Sequence, residues 1–222
     1  MTRDVAAICA AVALVGLSFG ALAVAGGLSI WMAAALSLLV LAGGSQFLVV
    51  GVIAAGAGPW AGVVGGLLIN ARHVPFGLAM SDTVGKRTLS KLLGAHLLVD
   101  EVVAFSRAQG DPRRATIAYW TCGLALAITW NVATLAGAWL GDAIPDPALL
   151  GVDAAFPAAL LALLLPGLRG GSMEAATARR VAVTGSLIAL ALSPLLPAGI
   201  PVLAGLAGLA AAGRATQAPE AP

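Results

Sequence analysis

ATIAYWTCGLALAITWNVATLAGAWL, residues 115–140, is an apolar run that opens with Tyr119 and Trp120 and closes with Trp139. As an α-helix, Trp120 to Trp139 covers about 28 Å at 1.5 Å per residue, close to the thickness of a bilayer's hydrocarbon core. Tyr and Trp belong at the two membrane–water interfaces, so this stretch reads as a membrane-spanning helix. Asn131, a lone polar residue inside it, reads as an interhelical hydrogen-bonding group.

The rest of the chain follows the same pattern. Of 222 residues, 60% are hydrophobic and 10% charged, and the mean hydropathy is +0.99. A soluble domain this apolar lacks the polar surface it needs. The alternating pattern of a membrane β-barrel is absent. Seven apolar segments are expected, at 5–26, 29–55, 59–80, 90–107, 115–140, 149–168 and 181–211. They define an all-α polytopic integral membrane protein with one transmembrane domain over 1–212 and a disordered tail at 213–222. Residues 1–25 resemble a signal peptide, but the apolar run is long and further segments follow at once, so it is expected to remain as the first span. Trp31 and Trp60 lie near the starts of the second and third segments. Pro194, Pro197 and Pro201 can divide the last segment into two short pieces.

Net charge is +2 with no dense basic patch, which gives nucleic-acid binding no electrostatic footing. Cys9 and Cys122 sit in apolar runs and read as free thiols. No phosphate-binding loop, nucleophile elbow or zincin motif is present, so neither an enzyme nor a cofactor is expected.

Lys and Arg in short loops set orientation. Arg107, Arg113 and Arg114, and then Arg169, Arg179 and Arg180, mark two cytoplasmic linkers, while Asp142, Asp146 and Asp153 mark an outer one. Counting back places the N-terminus, with Arg3, inside. Lys86, Arg87 and Lys91 disagree, because with seven crossings they fall outside. Placing them inside would require 92–106 to be a re-entrant hairpin and, on that count, the N-terminus to be outside. Gly16–Gly20 and Gly62–Gly66 are GxxxG pairs that permit close helix contact, although a chain this rich in glycine produces such spacing by chance.

Function is expected among the polar exceptions, because a charge at mid-bilayer costs about 2.5–3.5 kcal/mol even on insertion scales. Gly43-Gly-Ser-Gln46 lies inside the second segment. Its glycines weaken a helix, and Ser45 and Gln46 add hydrogen-bonding groups, so an interrupted helix facing a substrate is one reading and a flexible packing point the other. Asn70-Ala-Arg-His-Val-Pro75 lies in the third segment. Pro75 cannot donate to the Ala71 carbonyl, which predicts a second interruption beside Asn70, Arg72 and His73. Arg72 reaching to the nearby interface is the plainer alternative. His96, Asp100 and Glu101 form a third cluster. As one helix, His96 and Asp100 share a face and suit a proton or a substrate ammonium; the alternative is a solvated surface segment. The pair could also hold a metal, but two histidines without ordered ligand spacing are a weak signal.

These clusters, in this order, resemble the AzlC family, the large subunits of two-component branched-chain amino-acid exporters. The resemblance rests on Gly16-Leu-Ser-Phe-Gly20 with Gly27-Leu-Ser29, on Ala42-Gly-Gly-Ser-Gln-Phe47, on Asn70-Ala-Arg-His73 with Pro75-Phe-Gly77, and on Ala95-His-Leu-Leu-Val-Asp-Glu101. It covers the first half of the chain; the second half matches by hydropathy. The first segment lacks the proline associated with the family before its Phe-Gly. The resemblance implies a multi-pass protein of the bacterial cytoplasmic membrane with a small hydrophobic AzlD-type partner. On this reading Ser45, Gln46, Asn70, Arg72 and His73 bind an amino-acid substrate, and His96, Asp100 and Glu101 serve its ammonium or a coupling proton. The rival readings are a membrane metal enzyme or metal carrier using His73, His96, Asp100 and Glu101, and a scaffold that transports nothing.

Overall fold

The computed structural model describes residues 1–143 apart from 55 and 57, residues 173–196 and 200–212, and residues 161, 165, 168 and 169. The expected span at 149–168 and the tail at 213–222 lie outside the described residues, apart from 161, 165 and 168, as do Asp146 and Asp153. Among the described residues every regular element is helical. The elements are α1 (Thr2–Ala25), α2 (Ile30–Val40), α3 (Gly43–Ala54), α4 (Pro59–Asn70), α5 (His73–Ala79), α6 (Ser81–Val84), α7 (Thr88–His96), α8 (Asp100–Arg107), α9 (Pro112–Ala143), α10 (Met173–Leu192), α11 (Ile200–Ala204) and a 3-10 helix, Gly205–Ala212. Three helices among the described residues are long and apolar enough to cross a membrane: Thr2–Ala25, Pro112–Ala143 and Ala175–Leu192.

The scaffold is the contact between α1 and α9. They run parallel, since Gly16 meets Trp130 and Ala133, and Gly141, further along α9, meets Ala21. The approach is backbone to backbone. A Cβ on Gly141 would lie 2.7 Å from the Ala21 Cα, and Gly20 and Gly137 are as tightly placed against Thr134 and Leu17. Small residues permit this approach where lipid offers no hydrophobic drive between helices. The Gly16–Gly20 pair is therefore a packing device here, and Gly62 and Gly66 play the same part by seating α4 on Val49 of α3.

The 29–55 segment does not cross as one helix. Ser29 caps α2 by accepting a hydrogen bond from the Met32 N–H at 3.2 Å. α2 then descends along α9, with Ser37 Oγ donating to Asn131 Oδ1 at 3.0 Å, and ends at Leu41 in a left-handed conformation, φ 42°. Gly43 sits against the Trp130 ring, and α3 climbs back until Val50 and Ala54 lie beside Gly26, at the end of α1. The Gln46 side chain ties the two arms together by donating to the Leu36 carbonyl at 2.9 Å. With 11 and 12 residues, the arms are about 16–18 Å long, roughly half a hydrocarbon core.

A second hairpin enters from the opposite end. The Gly94 carbonyl accepts from the Tyr119 hydroxyl at 2.6 Å, and Leu97 packs on Gly123, so α7 climbs α9. Val99 is extended, and α8 then descends until Ser106 Oγ donates to the Ala115 carbonyl at 2.8 Å. This corrects the expected single helix over 90–107, and with it the shared face for His96 and Asp100: α7 ends at His96 and α8 begins at Asp100. It also settles the disagreement among the basic loops. Lys86, Arg87 and Lys91 lie at the same end of the bundle as Arg107, Arg113 and Arg114, while α1, parallel to α9, starts at that end too. The hairpin of the alternative reading is present, but the N-terminus lies at the end of the basic loops and not opposite them as that reading had it, because the 29–55 segment also turns back.

Between the hairpins, α4 descends alongside α3, and α5 continues past the break to bring Gly77 beside Leu98. The break falls at Ala71–Arg72, between Asn70 and His73, as expected, although Pro75 itself does not sit at it. Pro75 occupies the first turn of α5, where a missing N–H is harmless, and the Ala71 carbonyl accepts from Val74 N at 3.1 Å instead. Further on, α10 begins at Met173, so Arg179 and Arg180 belong to a helix and not to a linker. The chain breaks after Leu192, near the prolines, and the 3-10 helix returns along α10 through Gly185, Gly205 and Gly208.

Single cysteines at Ser29, Trp60, Lys86 and Gln109, with Cys9 and Cys122 changed to alanine, distinguish the two topologies. The hairpins predict that a membrane-impermeant maleimide labels the first two from one face and the last two from the other. Alternation of all four would restore seven crossings. Gly141→Ala is expected to cost about 1–3 kcal/mol through overpacking, seen as a lower unfolding temperature in detergent.

Candidate functional site

The breaks in the helices converge. The α2–α3 tip, the α4–α5 break and the α7–α8 tip meet α1 and α9 around a cavity of about 150 Å³. A cavity of this size holds a ligand as large as benzene. Its apolar wall is Val12 and Val15 of α1, Leu41, Val99, and Leu126, Ala127 and Trp130 of α9. Its polar wall is the backbone at Ala42–Gly44, together with Arg72, His73, Asp100 and Glu101.

Arg72 Nη1 bonds Asp100 Oδ2 at 3.1 Å, linking the α4–α5 break to the start of α8. Both side chains keep over 40% of their surface exposed, so the pair contributes only about 0–1 kcal/mol to stability. The guanidinium also lies against Gly44, in the first turn of α3, where Nη2 would be 3.4 Å from a Cβ. That turn carries N–H groups without intrahelical acceptors and the positive end of the helix dipole. Guanidinium and helix end together make one side of the cavity electropositive. Asp100 and Glu101 face it.

Several buried polar atoms near this point have no partner among the described residues: Asp100 Oδ1, Trp130 Nε1, Asn70 Oδ1 and Gln46 Oε1. His73 Nδ1 lies 3.0 Å from the Asn70 carbonyl oxygen. A carbonyl only accepts, so Nδ1 carries the proton, which leaves Nε2 as an acceptor in the neutral ring.

The expected site residues separate into three groups. Arg72, His73, Asp100 and Glu101 line the cavity. Ser45, Gln46 and Asn70 stand behind its wall: the Ser45 hydroxyl donates to the Ala42 carbonyl at 2.9 Å, and Gln46 is fully buried between the hairpin arms. His96 is exposed at the end of α7, separated from Asp100 by the tip. Among the described residues, no group of three or more His, Cys, Asp or Glu side chains is placed to hold a metal ion. Trp130 was not anticipated. It is 7% exposed, stacks on Phe19 at a centroid distance of 5.8 Å and forms the cavity's aromatic wall. A tryptophan midway between the interfacial Trp120 and Trp139 was the available signal.

The family model described as AzlC protein matches residues 7–144. The chain belongs to the AzlC family. The matched stretch runs from within α1 to the end of α9 and so contains both hairpins and the whole cavity wall. The chain is also 29% identical over 180 residues to the inner membrane protein YgaZ of Escherichia coli (strain K12), an alignment covering 77% of this chain and 70% of that protein. No solved structure matches. With the long apolar helices, these likenesses identify a membrane protein.

Gln46→Leu removes the bond that the buried Gln46 makes to the part-buried Leu36 carbonyl, at an expected cost of about 1–3 kcal/mol. Asp100→Asn, at a half-exposed pair, is expected to cost under about 1 kcal/mol. Melting of the two variants in detergent checks the order; the reverse order would make Gln46 a cavity group and Asp100 the structural one.

Proposed function

We propose that this AzlC-family chain is the large subunit of a secondary transporter. It exports a branched-chain or similar neutral amino acid across the bacterial cytoplasmic membrane, as a multi-pass carrier and not an enzyme. The carrying observation is the cavity itself. Opposed charges, Arg72 against Asp100 and Glu101, sit beside an aliphatic and aromatic wall at the meeting point of three interrupted helices. Interrupted helices with exposed half-helix ends are how membrane carriers bind small polar solutes at mid-depth. The charges suit the carboxylate and ammonium of an amino acid, and Val12, Val15, Leu126 and Trp130 suit a branched aliphatic side chain. A scaffold that only assembles would have no use for such a cavity.

The end of the bundle that carries Lys86, Arg87, Lys91, Arg107, Arg113 and Arg114 is cytoplasmic by the positive-inside rule. No nucleotide-binding loop is present, so an ion gradient supplies the energy. The partner is a small hydrophobic AzlD-type subunit, as the family resemblance implies.

Vesicles containing the chain and that partner are expected to show counterflow of labelled leucine. Arg72→Ala removes a charge-assisted contact worth about 1.5–3 kcal/mol and should lower the rate at least about tenfold. Gly43→Leu, whose side chain would grow into the Trp130 ring from a Cβ 3.1 Å away, should abolish it. Unchanged counterflow in both variants would remove the cavity from the transport path.

A further inference from the structure

We infer that the Arg72–Asp100 ion pair occupies the ligand site in the empty state, and that only a zwitterion displaces it. The incoming carboxylate takes the place of Asp100 on Arg72, and the incoming ammonium takes the place of Arg72 on Asp100. This deepens the transporter reading above and rests on it.

The position of the pair is the first argument. It bridges the cavity from the α4–α5 break to the tip of the α7–α8 hairpin, at 3.1 Å, with both groups among the lining residues. A ligand cannot occupy the polar wall without touching it. The second argument is the unused bonding capacity on both sides. Arg72 lies against Gly44 in the first turn of α3, so a carboxylate reaching the guanidinium also reaches the N–H groups of that turn. On the opposite side, Asp100 Oδ1 is buried without a partner and Glu101 stands next to it, which suits the three donors of an ammonium. Trp130, lining the same cavity and more than nine-tenths buried, holds an unpartnered Nε1 donor.

Charge bookkeeping then decides which ligands enter. A zwitterion exchanges one ion pair for two, so no charge is stranded. A ligand with only a carboxylate takes Arg72 and leaves Asp100 unpaired in a narrow, largely apolar cavity; a ligand with only an ammonium does the same to Arg72. The empty pair is half-exposed, but a ligand filling the cavity covers it, and a charge left without a partner under that cover is strongly unfavourable. The pair therefore acts as a filter for molecules that carry both charges, whatever fills the aliphatic wall.

The test uses the leucine counterflow vesicles with two analogues of the same carbon skeleton as inhibitors: 4-methyl-2-oxopentanoate, with the carboxylate alone, and 3-methylbutylamine, with the ammonium alone. In the wild type each should require about 100-fold more than unlabelled leucine for half-inhibition. Asp100→Asn should narrow the gap for the keto acid to within about tenfold, and Arg72→Gln should do so for the amine, a crossed pattern that a purely structural role would not produce. If either single-charge analogue matches leucine in the wild type, or a folded Asp100→Asn keeps the wild-type ratio, the filter is overturned while counterflow and the transporter reading stand. Absence of leucine counterflow in the wild type overturns both. Should a variant fail to fold, the wild-type comparison of the two analogues decides alone.

Discussion

The arrangement of α1–α9 depends on one constraint: a helix end placed at mid-depth in an apolar medium must find partners for its free N–H and C=O groups. Three helix breaks, at Leu41–Ala42, Ala71–Arg72 and Leu97–Val99, are brought to one place. There they share a cavity with charged and polar side chains. Scattered, each break would be costly. Gathered, they make a polar centre within an apolar bundle.

The α1–α9 contact makes that gathering possible. Two parallel helices, held backbone to backbone at Gly16, Gly20, Gly137 and Gly141, form a post against which both hairpins lean. Asn131 holds α2 by its side chain, Tyr119 holds α7, and Trp130 receives the tip at Gly43. Leu41, the one non-glycine residue with positive φ among the described residues, carries the cost of the first tip, of order 1–3 kcal/mol. Strain of this kind persists only where surrounding contacts over-determine it, and Leu41 is buried on the cavity wall.

The two hairpins enter from opposite ends and present different chemistry. The first offers backbone: Gly43 and Gly44 leave the start of α3 uncovered and let the Arg72 guanidinium approach. The second offers carboxylates, Asp100 and Glu101, at the start of α8. The family match at 7–144 spans the elements that build this arrangement, while the α10 hairpin lies beyond it and packs on itself.

Composition and apolar run length were enough to establish an all-helical membrane protein, because the cost of burying polar groups in lipid is local and additive along the chain. The positions of two interruptions were legible for the same reason: Gly43-Gly44 weakens a helix wherever it occurs, and Pro75 lacks an N–H whatever its neighbours. The direction of the chain after each break was not legible. A segment that turns back has the same hydropathy as one that continues, and only contacts across the bundle, Gly26 with Ala54 and Gly94 with Tyr119, show that 29–55 and 90–107 return. The basic residues at 86–91 held the clue, but charge marks a side of the membrane and not a path. In the same way the sequence named Arg72, Asp100 and Glu101 as anomalies, yet whether they meet was decided by the tertiary structure. It also moved His96 away and enlisted Trp130, because side-chain proximity across 30 or 60 residues is a property of packing and has no local signature.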